Sequence, residues 1–319
     1  MTDILLLLVG LVGLVAGGEL LVRGAVALAA RFGVPPLVIG LTVVGFGTSS
    51  PELVTSLQAA FAGSPGIAIG NIVGSNIGNI LLILGIAAIL SPIAVDPRAF
   101  RRDGSALVIA TAAGIGAMAM GSLGSTIGLV FIAGLAAYIF WAFQLLETPE
   151  SPAAAVYVAE AEIVDAPRNA GLALPVVMAL GGLVLTILSA RILVASAIDL
   201  ARIAGLSEAV IGLTIVAIGT SMPELVTSIV ASRKGEGDVA FGNIIGSNIF
   251  NILGILGVTA LVSPLPVPES VIAFDLWVMA AATMALVVFA ITGWRVRRRE
   301  GAALLLAYAA YLTALFALV

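Results

Sequence analysis

The chain has 319 residues, no cysteine and no histidine, a formal net charge of −4, and a composition that is 61% hydrophobic and only 10% charged. Soluble domains carry about 25% charged residues, so this chain must live in lipid. Without thiols or imidazoles it can form neither disulfides nor the usual zinc and copper sites, and the acidic balance says little because Glu147, Glu150, Glu160, Glu162 and Asp165 share one polar segment.

A membrane span needs about 20 mostly apolar residues. Taken in chain order, the apolar runs predict helices near 3–22, 34–62, 68–90, 104–121, 124–146, 172–193, 207–231, 240–262, 270–293 and 302–319. The fold class is therefore all-α, with ten transmembrane helices. Runs of this length exclude a porin-type barrel, whose strands alternate over short segments. The first run has no basic segment before it and no cleavage signal after it, so it reads as a retained helix. The acidic stretch after the fifth run contains Pro149, Pro152 and Pro167 and reads as a cytoplasmic tether.

Within the second and third runs lies a segment that returns later in the chain. Gly40 to Gly85 aligns with Gly212 to Gly257 at a constant offset of 172, without a gap, and 29 of the 46 positions are identical. Low-complexity apolar sequence does not produce such a match. The chain thus divides into a five-helix repeat (1–146), a linker (147–171) and a second five-helix repeat (172–319). An odd number of helices per repeat makes the second copy enter the membrane from the opposite side, giving inverted repeats. With the N-terminus placed outside, Arg23, Arg31, Arg98, Arg101, Arg102, Arg168, Arg233, Lys234, Arg295, Arg297, Arg298 and Arg299 fall inside, and only Arg191 and Arg202 fall outside. The positive-inside rule favours this arrangement, with both termini outside the cell membrane.

Two carboxylates stand in the middle of apolar spans, Glu52 and Glu224, and they are repeat partners. An unpaired carboxylate at membrane depth costs about 2.5–3.5 kcal/mol on insertion scales. No basic residue lies near either one in sequence, so a buried ion pair does not explain them. Protonated glutamates acting as glue between helices are the bland alternative; mobile cations are the functional one. Pro51 and Pro223 lack an N–H, which frees the carbonyls of Gly47 and Gly219 and breaks both helices beside the acids. Broken helices at the midplane are tolerated where they line a cavity and coordinate ions.

Thr48, Ser49, Thr220 and Ser221 add oxygens next to the carboxylates. On the following helices Asn71, Ser75 and Asn79, and again Asn243, Ser247 and Asn251, recur every four residues and line one helix face. Gly70, Gly74, Gly242 and Gly246 between them are assigned to close helix packing. The pooled ligands are all oxygen, which suits hard cations; calcium takes 6–8 oxygens in flexible geometry. Two carboxylates balance one divalent or two monovalent ions, so calcium and sodium can compete for one pocket.

The segments GTSSPELVTS with GNIVGSNIGN, and GTSMPELVTS with GNIIGSNIFN, resemble the paired α-repeats of the calcium/cation antiporter superfamily, nearest in pattern to its prokaryotic sodium/calcium exchangers. The resemblance spans all ten predicted helices. It implies alternating access, with calcium extruded at the expense of inward sodium. It places Glu52 and Glu224 at the calcium site and implies that Thr48, Ser49, Ser75, Thr220, Ser221 and Ser247 help bind calcium or sodium. Asn79 and Asn251 close the GSNxxN pattern where some exchangers carry aspartate, which leaves sodium stoichiometry and proton involvement open. Proton/calcium members carry an acid in the GNxxG region, where this chain has Val73 and Ile245.

Transported Ca2+ and Na+ would bind as substrates, with no cofactor, and the bilayer is the one partner deducible. No GxxxxGK[ST] loop supports an ATP-driven pump, and neither a His-containing catalytic set nor a pair of intramembrane aspartates supports an enzyme. A cation channel is the competing class, and proton- or potassium-dependent exchange the competing mechanism. Among the remaining polar residues, Glu19 and Arg23 are expected to form a local i,i+4 pair, Asp238 to cap a helix, and the Arg295–Arg299 cluster to mark topology.

Overall fold

The computed structural model describes residues 2–34, 39–144, 158, 164, 166–167 and 171–317. Most of the predicted linker, including Glu147, Glu150, Glu160, Glu162, Asp165 and Arg168, lies outside the described residues.

Helices form wherever the apolar runs predict them, and their boundaries follow local chemistry. The first half comprises α1 (Thr2–Arg31), α2 (Ile39–Val44 continued by Gly45–Gly47), α3 (Ser50–Phe61), α4 (Pro65–Leu90), α5 (Pro97–Met118) and α6 (Ser125–Gln144). The second comprises α7 (Ala173–Ala204), α8 (Glu208–Thr220), α9 (Met222–Lys234), α10 (Gly237–Val262), α11 (Val271–Ile291) and α12 (Arg298–Ala317). Each element of the first half has its repeat mate six labels later. Among the described residues, seven helices are long and apolar enough to cross a membrane, or eight when the bent α8–α9 pair counts as one span.

Some ends differ from the sequence-based expectation. α1 and α7 run about ten residues past the predicted 22 and 193, because the Ala-rich segments that follow the apolar core are good helix formers. α5 starts seven residues early: Asp96 caps it by accepting from the N–H groups of Arg98 and Ala99, with Pro97 in the first turn. Asp238 is not the cap residue of α10. Glu236 occupies that position, and Asp238 sits in the first turn, its carboxylate accepting from the Val239 N–H. Glu19 and Arg23 do form the expected pair.

α4 and α10 form the centre of the bundle: 83% and 72% of their apolar windows are buried, against 17–28% for α1, α6, α7 and α12, which present apolar faces outward. α1 packs lengthwise on its own mate α7. Gly10 faces Leu193, Gly17 faces Thr186 and Gly24 faces Ala179, so the two helices run antiparallel. A Cβ at Gly17 would lie 2.7 Å from the Thr186 backbone nitrogen. This is the backbone-to-backbone contact that small residues allow in membrane helices.

Two short bridges tie the halves together. Strand β1 (Ile93–Ala94), after α4, pairs antiparallel with β4 (Arg295–Val296), after α11; β2 (Ser122–Leu123), after α5, pairs with β3 (Leu265–Pro266), after α10. β1 and β3 are repeat mates, as are β2 and β4, so each bridge is the repeat image of the other. The turn before β4 holds one residue more than the turn before β2. That residue is Trp294, at φ 53, following Gly293 at φ 79, the mate of Gly121. The left-handed conformation is costly for a bulky side chain, and the indole packs edge-on against Phe100 with centroids 6.3 Å apart. From this point the repeat offset is 173.

Candidate ion site

The breaks at α2–α3 and α8–α9 are where the site is built. Thr48 and Ser49 form a turn between α2 and α3, Ser221 occupies the same place between α8 and α9, and the second pair is bent by 46°. Pro51 and Pro223 sit in the first turns that follow, where the missing N–H is tolerated. Glu52 and Glu224 are the third residues of α3 and α9, so each carboxylate lies at the positive end of a helix.

The local sequences Ser49-Ser50-Pro51-Glu52 and Ser221-Met222-Pro223-Glu224 fit a capping box, in which a serine and a glutamate three residues on satisfy the same helix end. The protein uses them differently. Neither serine caps its own helix. Ser49 Oγ donates to Glu224 Oε1 at 2.7 Å, and Ser221 Oγ donates to Glu52 Oε1 at 2.8 Å. Each half supplies the donor for the other half's acid, which brings two carboxylates 172 residues apart into one buried cluster.

All ten residues assigned from sequence, Thr48, Ser49, Glu52, Ser75, Asn79, Thr220, Ser221, Glu224, Ser247 and Asn251, are buried. Ser247 Oγ donates to Asn243 Oδ1 at 3.2 Å and stands 3.5 Å from Glu224 Oε1. Asn71 Nδ2 donates to the Glu52 carbonyl at 3.2 Å and to Ser56 Oγ at 3.0 Å, while its Oδ1 accepts from Thr220 Oγ1 at 3.0 Å. Several polar atoms find no protein partner: Glu52 Oε2, Glu224 Oε2, Thr48 Oγ1, Ser75 Oγ and both side-chain amide atoms of Asn79 and Asn251. Buried polar groups are normally satisfied, so this concentration marks a place built to bind something else. The ion pairs among the described residues lie elsewhere, at Glu19–Arg23, Arg102–Asp103 and Asp199–Arg202.

Asn79 opens a π-helical stretch of α4 (Asn79–Leu84), and Asn251 lies in the matching stretch of α10 (Phe250–Leu256). π-bulges leave backbone groups unpaired and recur at functional sites. A cavity of ≈ 260 Å³ reaches Thr48 from one side, lined by Val15, Glu19 and Arg23 of α1, Val164, and Pro223 and Thr227 of α9.

The structure also contains an acidic pair that sequence reading passed over. Asp103 of α5 and Asp275 of α11 are repeat mates at offset 172. Tyr138 of α6 donates to Asp103 at 3.2 Å and Tyr311 of α12 donates to Asp275 at 2.8 Å; the tyrosines are mates at offset 173. Asp103 is further paired with Arg102, whereas Phe274 stands at the equivalent place beside Asp275. Extending the repeat past Gly85 with the one-residue insertion would have revealed it. Thr111 and Thr283, also mates, touch one another at 3.5 Å, so α5 and α11 meet at equivalent positions.

A family model described as "Sodium/calcium exchanger protein" matches residues 2–144 and 174–317. The sodium/calcium exchanger MaX1 of Methanosarcina acetivorans is 36% identical over 345 aligned residues, covering 98% of both chains, and the inner membrane protein YrbG of Escherichia coli is 38% identical over 292, covering 91% of this chain and 88% of that one. Structures of the sodium-calcium exchanger NCX_Mj soaked with Na+ and Sr2+ superpose with a TM-score of 0.65 at 30% identity over 98% of each chain. Both halves being matched, and the architecture with them, the chain belongs to the sodium/calcium exchanger family.

Proposed function

We propose that this protein is a secondary antiporter that exchanges Na+ for Ca2+ across the cell membrane by alternating access, binding both ions as substrates at the Glu52–Glu224 cluster and requiring no cofactor. The observation that carries the reading is the reciprocal pair of hydrogen bonds, Ser49 to Glu224 and Ser221 to Glu52. It draws two carboxylates into one buried cluster with no lysine or arginine paired to either among the described residues, an arrangement that needs a positively charged visitor. The ten assigned residues supply carboxylate, hydroxyl and amide oxygens, the donor set of a calcium site in which sodium can compete. The exchanger names of MaX1 and NCX_Mj agree with it.

The proposed topology is ten spans, with 1–146 and 172–319 as inverted repeats, 147–171 as a cytoplasmic tether and both termini outside. Three observations support it: the antiparallel packing of α1 on α7, the bridges that join the end of α4 to the end of α11 and the end of α5 to the end of α10, and the twelve-to-two distribution of basic residues. In this topology the cavity at Thr48 opens on the cytoplasmic side.

Sodium is the proposed coupling ion. Ser75, Ser247, Asn79 and Asn251 are neutral oxygen donors that can hold sodium but cannot give up a proton near neutral pH, and no histidine is available to carry one. In proteoliposomes loaded with sodium, calcium uptake is expected to need the sodium gradient, to saturate, and to persist when a protonophore removes the pH gradient. Uptake driven by pH with sodium absent would instead assign the protein to proton/calcium exchange, and flux without a counter-ion would make it a channel.

A further inference from the structure

The two halves match in sequence around the site but not in hydrogen bonding. Asn71 Oδ1 accepts from Thr220 Oγ1 at 3.0 Å, and Ser75 Oγ one turn on has no partner. At the mate, Asn243 Oδ1 is 3.2 Å from Ser247 Oγ, and Thr48 Oγ1, the mate of Thr220, has no partner. Each asparagine oxygen therefore takes one of two donors: the threonine of the other half, or the serine on its own helix. The halves have made opposite choices.

Helix packing divides the same way. A Cβ at Gly74 of α4 would sit 2.5 Å from the Leu213 carbonyl of α8, so α8 is pressed against α4 beside the Thr220–Asn71 bond. At the mate, Gly246 of α10, a Cβ would meet nothing within 4 Å among the described residues. The cavity of ≈ 260 Å³ reaches Thr48, the threonine without a partner. Thr227 lines that cavity, whereas its mate Thr55 is wholly buried. Phe46 of α2 stacks on Phe250 of α10 at 4.6 Å, where the second half has Ile218 beside Gly78.

We infer that Asn71 and Asn243 are alternative latches of the transport cycle: Thr220 on Asn71 closes one side of the membrane, Thr48 on Asn243 closes the other, and the two bonds exchange as access changes side. This rests on the exchanger reading above and adds residues with a positioning role to it. Inverted repeats make the exchange natural, because each half can adopt the arrangement now held by its mate. The exchange also changes which oxygens are offered to ions. Thr48 and Ser75 are free in the state seen, and Thr220 and Ser247 become free in the other. Binding energy of an ion that prefers one set moves the equilibrium toward that set.

The chain has no cysteine, so Thr227→Cys and Thr55→Cys report access to the two sides separately with a membrane-impermeant thiol reagent on oriented vesicles. Losing one buried neutral hydrogen bond changes a conformational equilibrium roughly fivefold. Thr220→Val removes the Thr220–Asn71 bond, which belongs to the present state alone, and is expected to raise labelling of Thr55→Cys by about that factor and to lower that of Thr227→Cys; Thr48→Val removes the bond of the other state and is expected to do the reverse. Gly246→Ala fits the present state, where its methyl enters open space, but obstructs docking of α2 on α10. It should keep Thr227→Cys reactive and suppress Thr55→Cys below its level in the parent. Unchanged labelling in the Gly246 variant, or threonine variants that move both cysteines in the same direction, would overturn the latch. Labelling needs no transport, so the two readings fail separately: opposite shifts without calcium/sodium exchange sink the exchanger reading, and exchange with unmoved labelling sinks the latch.

Discussion

Glu52 and Glu224 each keep one oxygen bonded to a serine of the other half and one oxygen without a protein partner. Removing either charge should therefore harm the divalent ion more than the monovalent one. Glu52→Gln and Glu224→Gln are each expected to abolish calcium uptake in reconstituted vesicles while the protein still inserts and folds; wild-type uptake in either variant would contradict the site. Ser49→Ala and Ser221→Ala remove a donor to a buried carboxylate, a bond class that contributes about 1.5–3 kcal/mol. Each should weaken apparent calcium affinity about tenfold or more, and by similar amounts, since the bonds are repeat images. The acids were legible in the sequence because an unpaired intramembrane carboxylate is expensive and because repetition ruled out accident. The crossed serine bonds were not. Ser-x-x-Glu is also the pattern of a capping box, and sequence alone cannot tell a serine bonded within its own helix from one bonded to a helix 172 residues away.

Helix identity was readable from apolar runs alone, but helix ends depended on details those runs do not encode: the Asp96 cap moved the start of α5, and Ala-rich extensions lengthened α1 and α7. Packing was partly legible, since Gly70 and Gly74 were assigned to close contact and do meet α8. The α1–α7 seam was not, because nothing in a run of glycines names the partner helix. Two neighbouring positions test it. A methyl at Gly182 would run into the Leu21 backbone nitrogen and the Gly17 carbonyl, whereas one at Gly181 would meet nothing. Gly182→Ala should destabilise the protein by about 1–3 kcal/mol through overpacking. Gly181→Ala should be neutral or stabilising by up to about 1 kcal/mol, as alanine is the better helix former. Thermal unfolding in detergent distinguishes the two signs. In α11, Tyr311→Phe strips the donor from buried Asp275 and should cost about 1–3 kcal/mol. Tyr138→Phe should cost less, because Asp103 keeps its pair with Arg102.

For the whole molecule, the repeat offset in the sequence implies two equivalent halves, and the bridges and crossed bonds follow that equivalence. What sequence could not announce is that the halves would differ, since 29 shared identities predict likeness and the difference lies in which donor each asparagine holds. The proposed topology places Glu160 and Arg298 in the cytoplasm. Cysteines substituted there should resist an impermeant thiol reagent applied to intact cells and react after the cells are opened. Labelling of either from outside would contradict the inverted arrangement.

The two bridges have a practical corollary. β1–β4 and β2–β3 each join a strand of one half to a strand of the other, and they flank opposite ends of α5 and α11, where Thr111 meets Thr283. The covalent tether at 147–171 is therefore one attachment among several. Residues 1–146 and 172–319, synthesised as two separate polypeptides in one cell, should find each other in the bilayer, co-purify, and retain calcium uptake. An affinity tag on one fragment that fails to retain the other would mean that the continuous chain is needed to hold the halves in register.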